Sequence, residues 1–464
     1  MVASEEKQAL LEDFRDGRVN GLQDNHLRAN WRRILSGVAH AIVLSATAFA
    51  LLFLTTRSGS HTPNTTIEER VDNILSSTPL FDGHNDLPFL VRAIYDNHIY
   101  DPGFAEKFTN GGLFGHVDLP RLRKGKVGGT FWSVYAPCPA NWSDFSDETY
   151  AASVRQTYEQ VDLISRLREK FPHVFSEPGN SSTAMEYFNQ GKIVSPYGIE
   201  GLHSIGNSFA QLRAFHKLGV RYATLTHNCH NSFADAALVE TLNGVKKAEP
   251  LWHGVSEKGK KVVYEMNRLG MLVDLSHVSV DTMRDVLGGG KDDWTGSQAP
   301  VIFSHSSSYA VCPHPRNPPD DVLQLVKKTG SLVMVNFSPS FISCTPGDNE
   351  NGLPDFYPPN ATLSHVVDHI VHIGELIGYE HVGFGSDFDG IMSTPEGLED
   401  VSKYPDLVAE LLRRGVSDED ASKVVGGNLL RVWAKVDEVA ARLQAEGALP
   451  VEDDLDDSLQ RHYE

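Results

Sequence analysis

The chain has 464 residues, of which 41 are basic and 61 acidic, so its formal net charge is −20 with neutral histidines. Hydrophobic residues make up 41% and charged residues 22%, which is typical of a folded protein and excludes a chain that is disordered throughout. The acidic surplus argues against nucleic acid as a partner, because a phosphate backbone is bound by a basic surface. The length suits about two or three small domains, or one large barrel domain.

An apolar segment lies near the N-terminus, over residues 34–54 (ILSGVAHAIVLSATAFALLFL). It carries no formal charge apart from the titratable His40, and about 20 apolar residues span a bilayer as a helix. Three arginines precede it closely and one follows, so the N-terminus is expected in the cytosol. We therefore predict a type II single-pass membrane protein with a cytoplasmic tail (1–33), a stalk (55–66) and an extracellular or lumenal catalytic domain. A cleaved signal peptide and a buried soluble helix are the alternatives.

Asn-X-Ser/Thr motifs in the remaining chain agree with export across a membrane. The predicted glycosylation sites are Asn64, Asn141, Asn180 and Asn360. A further motif at Asn336 lies in an apolar stretch and is followed by Pro339, so we exclude it.

Residues 67–445 show short β-branched runs that alternate with amphipathic stretches of helical periodicity. The runs are 79–82, 129–135, 193–200, 221–226, 271–275, 301–304, 332–337 and 382–385. Such alternation indicates parallel strands joined by helices, and eight strands close a β/α barrel. An open doubly wound sheet is the alternative, but the first run is not followed by the glycine-rich phosphate turn typical of that fold. We predict an α/β fold, a TIM barrel with peripheral helices over 67–445, followed by a solvated acidic tail over 446–464.

Metal-competent residues follow six of the predicted strands. They are His84, Asp86, Glu200, His227, His277, His305 and Asp387. Because all strands of a parallel barrel open on one face at their carboxyl ends, these side chains are expected to converge there. His84 and Asp86 are two positions apart, so in extended backbone they project to the same side and can share one cation. Imidazole and carboxylate ligands suit zinc, although other divalent transition metals are also compatible, and Glu200 could bridge to a second metal.

Three further histidines fall on one face of a predicted helix, at His365, His369 and His372. Their spacing would allow a surface metal site. We interpret them instead as part of a solvated helix face, which is the commoner arrangement.

Several motifs resemble those of the membrane dipeptidases, which are also called renal or microsomal dipeptidases. They are 81–88 (FDGHNDLP), 199–204 (IEGLHS), 225–229 (LTHNC), 274–279 (DLSHVS), 303–307 (FSHSS) and 383–390 (GFGSDFDG). They occur in the family's order, and the resemblance covers about residues 70 to 435. It implies a zinc peptidase on a barrel of the metal-dependent amidohydrolase type, which cleaves dipeptides by a metal-bridging hydroxide.

The resemblance also implies the metal ligands. His84 and Asp86 would bind one zinc ion, His277 and His305 would bind the second, and Glu200 would bridge the two. Two such metals act together on both oxygens of a hydrolytic transition state.

The remaining matched residues are implied to act on the substrate. His227 would contact the substrate and stabilise the oxyanion, and Arg316 would hold the substrate carboxylate. Asp387 would handle protons and the substrate amino group. These roles are chemically reasonable, because a guanidinium fork suits a carboxylate and a carboxylate near the metals can pass a proton to the leaving amine. Asp389 is the alternative for Asp387, and a surface ion pair is the alternative for Arg316.

The four cysteines are too few for a disulfide-rich scaffold, but their even number suits two bridges. The resemblance implies Cys138–Cys229 and Cys312–Cys344, with free buried cysteines as the alternative. Animal relatives are usually held by a C-terminal lipid anchor and can be joined by a disulfide near the C-terminus. Here no apolar tail and no cysteine follow Cys344, so we expect the N-terminal helix to be the anchor and any homodimer to be non-covalent.

The sequence therefore favours a zinc dipeptidase tethered to a membrane, with dipeptides as substrates. A related binuclear hydrolase of other amides, β-lactams or phosphoesters is one alternative, since barrel mouths are reused for many chemistries. Arg316 favours the dipeptidase, because it fits a free carboxylate. A non-catalytic cell-surface binding protein is the second alternative, and it is disfavoured because every matched ligand is present.

Overall fold

The computed structural model describes residues 65–290 and 294–454. The predicted cytoplasmic tail, the apolar segment at 34–54, nearly all of the stalk and Asn64 lie outside these residues, as does the chain after 454. Within the described ranges, no helix is both long and apolar enough to cross a membrane.

In the described part of the chain, eight parallel strands close into a barrel. Numbered along the chain, they are β1 (Leu80–Asn85), β2 (Val127–Tyr135), β3 (Tyr197–Glu200), β4 (Val220–Thr224), β7 (Leu272–Asp274), β8 (Ile302–Phe303), β9 (Leu332–Val335) and β12 (Val382–Phe384). Barrel strands that follow one another along the chain pair with each other. The ring closes where β1 pairs with β12, with Asp82 opposite Phe384. Each predicted strand overlaps one of these, so the predicted barrel is confirmed.

Helices surround the barrel, and two antiparallel hairpins extend its loops. The helices are α1 (Ile67–Ser77), α2 (Leu87–Tyr95), α3 (Pro102–Asn110), α4 (Leu119–Lys124), α5 (Asp147–Lys170), α6 (Ser181–Asn189), α7 (Phe209–Leu218), α8 (Glu257–Leu269), α9 (Val280–Val286), α10 (Asp320–Thr329), α11 (Pro339–Ile342), α12 (Leu363–Ile377), α13 (Tyr404–Arg413), α14 (Asp418–Ser422) and α15 (Asn428–Ala445). The hairpins are β5 (Leu238–Thr241) with β6 (Gly244–Lys247), and β10 (Cys344–Thr345) with β11 (Asp355–Phe356). Both hairpins follow the carboxyl ends of barrel strands, on the side where active sites of such barrels form.

Local sequence signals delimit the helices, as α8 illustrates. The Ser256 side chain accepts a hydrogen bond from the Gly259 amide, which satisfies a free amide at the helix start. The helix stops at Gly270, which adopts a φ of 79° that most other residues avoid. Val262 and Met266, four positions apart, are buried on the face turned towards the protein.

An aromatic cluster fills part of the barrel interior. The ring centroids of Phe131 and Trp433 are 5.5 Å apart, those of Phe81 and Phe131 are 5.7 Å apart, and those of Phe131 and Tyr222 are 4.9 Å apart. Trp433 comes from α15 and is fully buried. The interior is therefore a packed core and not a pore, and polar residues gather at the carboxyl ends of the strands.

The first part of the predicted acidic tail packs against the barrel helices. The Asp453 carboxylate accepts hydrogen bonds from the Ser208 hydroxyl at 2.8 Å and from the Phe209 amide at 2.6 Å, at the start of α7. A carboxylate is stabilised there by the free amides and the helix dipole. Asp453 thus attaches the tail to the domain at one point, while most residues of the described tail are exposed.

Candidate active site

A carboxylate oxygen of Glu200 lies among the nitrogens of three histidines at the mouth of the barrel. Glu200 Oε1 is 3.0 Å from His277 Nε2, 3.5 Å from His84 Nε2 and 3.5 Å from His305 Nε2. Asp86 Oδ2 is 3.0 Å from His84 Nε2. The structure therefore brings together all five residues that the sequence predicts as metal ligands, from the ends of four different strands.

The ligand atoms form two groups that share Glu200. One group is His84, Asp86 and Glu200, and the other is Glu200, His277 and His305; in each, the ligand atoms lie within 4.8 Å of one another. The Nε2 atoms of His277 and His305 face each other at 3.0 Å, although a neutral imidazole has only one N–H to donate. Convergent imidazole nitrogens and carboxylate oxygens fit a pair of divalent transition metals such as zinc.

Charge crowding perturbs the site when no cation is bound. Burial raises the pKa of Glu200 to about 8, although the nearby His84 partly opposes the shift. Burial alone would lower the pKa of His84, but Asp86 and Glu200 outweigh it and raise the pKa to about 10. Bound cations would relieve this crowding, because they favour the ionised carboxylates.

Asp387 follows β12 and lies beside the ligands. It adopts a φ of 66°, and its Oδ2 accepts a hydrogen bond from Asn336 Nδ2 at 2.9 Å. Burial raises the pKa of Asp387 to about 6. The alternative residue, Asp389, instead accepts a hydrogen bond from the His116 amide at 2.6 Å and does not line the cavity described below. Asn336 is fully buried, in agreement with its exclusion as a glycosylation site.

Arg316 lies in the wall of the site with its guanidinium over the ring of Phe341. The side chain is only 2% exposed, so it is not a surface ion pair. Burial lowers the pKa of Arg316 to about 10, and the guanidinium therefore remains charged at neutral pH. The predicted Cys312–Cys344 disulfide is present and joins the segments that carry these two side chains.

His227 follows β4 and lies against His277, with 4.3 Å between the ring centroids. Burial lowers the pKa of His227 well below its usual range, so the ring is neutral at neutral pH and can donate one hydrogen bond. The Cys138–Cys229 disulfide is also present, two positions beyond His227. Tyr135, which the sequence did not single out, packs against His227 with 4.9 Å between ring centroids.

These residues enclose a cavity of about 530 Å³, which is of the size that binds small molecules. Its polar wall contains Asp86, Glu200, His227, His277, Arg316 and Asp387, and its aromatic wall contains Phe89, Tyr135, Phe341 and Phe356. The cavity thus places an arginine and a carboxylate around a cluster of metal-competent groups. Such a barrel and site define a metal-dependent hydrolase.

Comparison with known proteins gives the family. The family model of the membrane dipeptidases (peptidase family M19) matches residues 68–447. The chain is 43% identical to the dipeptidase aclJ of Aspergillus oryzae over 438 residues, which are 92% of this chain and 94% of that protein. It is 45% identical to the dipeptidase tcpJ of Claviceps purpurea over 373 residues, which are 80% of each chain.

A solved structure shares the fold. A metallo peptidase from Rhodobacter sphaeroides, liganded with a phosphinate mimic of the dipeptide L-Ala-D-Ala, superposes with a TM-score of 0.63 at 24% identity. The match covers 77% of this chain and 99% of that chain. The protein described here belongs to the membrane dipeptidase family. It is a metallo-dipeptidase, a hydrolase that acts on peptide bonds.

Each of the three clustered histidines has a partner on its other ring nitrogen. The Nδ1 contacts are His84 with Tyr222 Oη at 2.7 Å, His277 with Asn228 Oδ1 at 3.0 Å, and His305 with Ser304 Oγ at 2.8 Å. None of these partners was predicted to be functional. Asn228 and Ser304 adjoin motif histidines in the sequence, and that adjacency is the one signal that could have indicated them. Tyr222 lies inside β4 and has the pattern of an ordinary core residue.

The helical histidines at 365, 369 and 372 do not share a ligand. His365 contacts Asp368 at 2.8 Å and His372 contacts Asp320 at 3.0 Å. His369 is fully buried, where Nδ1 accepts from the Ser308 amide at 2.9 Å and Nε2 donates to the Ile342 carbonyl at 2.8 Å. The prediction of a solvated face is therefore wrong for His369, which links two loops of the site.

Proposed function

We propose that the protein hydrolyses dipeptides with two zinc ions at the barrel mouth. His84 and Asp86 would hold one ion, His277 and His305 the other, and Glu200 would bridge them. The observation that carries this proposal is the convergence of three histidine Nε2 atoms within 3.5 Å of one Glu200 oxygen. When bound, zinc supplies Lewis-acid chemistry and lowers the pKa of water.

Arg316 orients the substrate by its free carboxylate. Its buried guanidinium is charged at neutral pH and lines the cavity, where a planar fork can bind both oxygens of a C-terminal carboxylate. The cavity of about 530 Å³ suits a substrate of dipeptide size. A dipeptide bound in this way would have its peptide bond over the carboxylate and histidine cluster.

Asp387 moves protons, and His227 stabilises the developing oxyanion. Asn336 donates to Asp387 Oδ2 and fixes the carboxylate, so that Oδ1 can take a proton from the attacking water and return it to the leaving amine. A pKa of about 6 suits both steps near neutral pH. The neutral His227 donates its N–H to the carbonyl oxygen as negative charge develops there.

The same proposal includes the cellular setting. Residues 34–54 would anchor the chain in a membrane, with the barrel extracellular or lumenal. Asn141, Asn180 and Asn360 are exposed on the described surface and would be accessible for glycosylation. Any homodimer would be non-covalent, since both described disulfides lie within one chain.

The test is a metal-removal and reconstitution assay on the full-length protein. The metal-free protein should not hydrolyse dipeptides, and activity should return as about two zinc ions bind per chain. N-acetylated dipeptides, dipeptide amides and a β-lactam serve as comparison substrates. Chelator-resistant hydrolysis would contradict the zinc mechanism. Turnover of a β-lactam or of amides without dipeptide turnover would favour the related amidohydrolase.

A further inference from the structure

A buried carboxylate below the metal-competent cluster accepts hydrogen bonds from four donors. Asp274, at the end of β7, is 0% exposed. Its Oδ1 accepts from the Ser276 amide at 3.1 Å and the Ser304 amide at 2.7 Å. Its Oδ2 accepts from the Thr224 hydroxyl at 2.5 Å and the Ser304 hydroxyl at 2.6 Å. A carboxylate surrounded by four donors can only accept hydrogen bonds, so each of these groups must donate its proton to Asp274.

Asp274 also determines which group donates in the hydrogen bond between Ser304 and His305. The single hydroxyl proton of Ser304 is committed to Asp274, so Ser304 Oγ can only accept from other groups. His305 Nδ1, 2.8 Å away, must then be the donor of that contact. A neutral ring with its proton on Nδ1 presents an unprotonated Nε2, which is the form that binds a metal.

His84 is oriented by a separate contact, outside the hydrogen bonds of Asp274. Its Nε2 faces Asp86 and Glu200, and its Nδ1 lies 2.7 Å from Oη of the buried Tyr222 ring. Gly198 makes room for this ring, because a Cβ there would lie 2.0 Å from the Tyr222 Cζ atom.

We propose that Asp274 is a positioning residue that sets the tautomer of His305 through Ser304. The proposal rests on the proposed function, in which His305 is a ligand of one of the two zinc ions. His277 is the internal comparison, because its Nδ1 contacts the amide oxygen of Asn228 instead of this network.

The binding test measures zinc affinity by competition with a chelator. Asp274→Asn and Ser304→Ala should weaken the binding of the ion held by His305 by about 10- to 100-fold, the usual effect of losing a partner behind a metal ligand. Tyr222→Phe should instead weaken only the ion held by His84, because its hydroxyl contacts His84 Nδ1. Asp235→Asn is the matched control, since Asp235 is also buried but accepts from the Trp252 and Gly254 amides. Its zinc affinities should stay at the wild-type values.

The structural test reads the histidine tautomers from imidazole ¹⁵N shifts of the metal-free protein. His305 should carry its proton on Nδ1 in the wild type and shift towards the Nε2–H form in Asp274→Asn, while His277 stays unchanged. Wild-type zinc affinity in folded Ser304→Ala, or an Nε2–H tautomer of His305 in the wild type, would overturn the proposal. Should Asp274→Asn fail to fold, Ser304→Ala still decides it. A protein that binds zinc through this network but leaves dipeptides intact would contradict the proposed function alone.

Discussion

The guanidinium carbon of Arg316 lies 5.1 Å from the centroid of the Phe341 ring. A cation above an aromatic face is attracted by the ring and is held against it. Neither residue belongs to a barrel strand: Arg316 lies in a loop and Phe341 in α11, and the Cys312–Cys344 disulfide joins these two segments. The part of the site around Arg316 is therefore fixed by contacts outside the barrel strands, whereas the strand ends fix the metal-competent part.

Replacing Arg316 should weaken substrate binding more than it slows the chemical step. A hydrogen bond to a charged group contributes about 1.5–3 kcal/mol, so Arg316→Ala should lower kcat/KM for dipeptides by about 10- to 100-fold, mainly through KM. Steady-state kinetics with a dipeptide and the corresponding dipeptide amide measure the effect. The amide lacks the carboxylate and should be nearly insensitive to the change.

Arg316→Lys is the control for charge. It keeps the positive charge but loses the planar fork, so its activity should lie between those of the wild type and Arg316→Ala. Equal losses for the dipeptide and its amide would show that Arg316 supports the fold of the loop and does not bind the carboxylate.

Asp387 and Asp389 can be separated by their asparagine variants. Loss of a general acid–base group costs about 10²- to 10⁴-fold, so Asp387→Asn should reduce kcat by that order with a small change in KM. Asp389 bonds to His116 instead of lining the cavity, so Asp389→Asn should lose stability and retain most of its kcat. Kinetics and thermal unfolding of both variants check this. If Asp389→Asn lost more kcat than Asp387→Asn, then Asp389 and not Asp387 would be the residue that transfers protons.

The cluster of metal-competent residues could be predicted because a parallel barrel gathers its strand ends. Once alternating strands and helices are recognised, His84, Glu200 and Asp387 must share one face, whatever their separation in the sequence. The two disulfides and the role of Arg316 came instead from resemblance to a family. Periodicity and spacing alone do not pair cysteines.

Contacts between sequence-distant side chains could not be predicted. Tyr222 and His369 have the pattern of core and surface residues, and only the fold shows that their polar atoms bond to His84 and to site loops. Asp453 lies in a run of acids that is typical of a solvated tail, yet it binds the start of α7. These bonds join positions that are 61 to 244 residues apart, which local patterns do not encode.

The stability of the metal-free protein should fall as the pH rises from about 7.5 to 8.5. The pKa of Glu200 is raised to about 8 by burial, so in this range the folded state keeps a proton that the unfolded state has lost. His84, with a pKa raised to about 10 by Asp86 and Glu200 against the effect of burial, acts in the same direction. The buried His277 and His305 have lowered pKa values and oppose this trend near pH 6.5, where unfolded histidines still carry protons, but above about pH 7.5 they are neutral in both states.

Urea unfolding of the metal-free and zinc-loaded protein measures this dependence. Stability falls with rising pH wherever the folded state binds more protons, so the urea midpoint of the metal-free protein should decrease over this range. Zinc ions replace those protons and should remove or reverse the trend. A metal-free midpoint that rises with pH would contradict the assigned protonation of Glu200 and His84.

The Cys312–Cys344 disulfide should contribute to both stability and substrate binding. It joins positions 32 residues apart, for which the chain-entropy model gives about 3–4 kcal/mol of stabilisation. The disulfide joins the loop of Arg316 to the segment of α11 and Phe341. The Cys312→Ser/Cys344→Ser variant should therefore show a lower unfolding temperature and a raised KM, with a smaller change in kcat. Unfolding scans and steady-state kinetics below the unfolding temperature measure the two effects separately.

The Cys138–Cys229 disulfide is the matched control for that prediction. It joins positions 91 residues apart and lies beside His227, so its removal should destabilise the protein at least as much but act mainly on kcat. Since both removals lower stability, a difference between the variants in KM and kcat can be assigned to the segment that each disulfide holds. The same kinetic change in both variants would mean that general loosening of the domain, and not the position of Arg316 or His227, sets the activity.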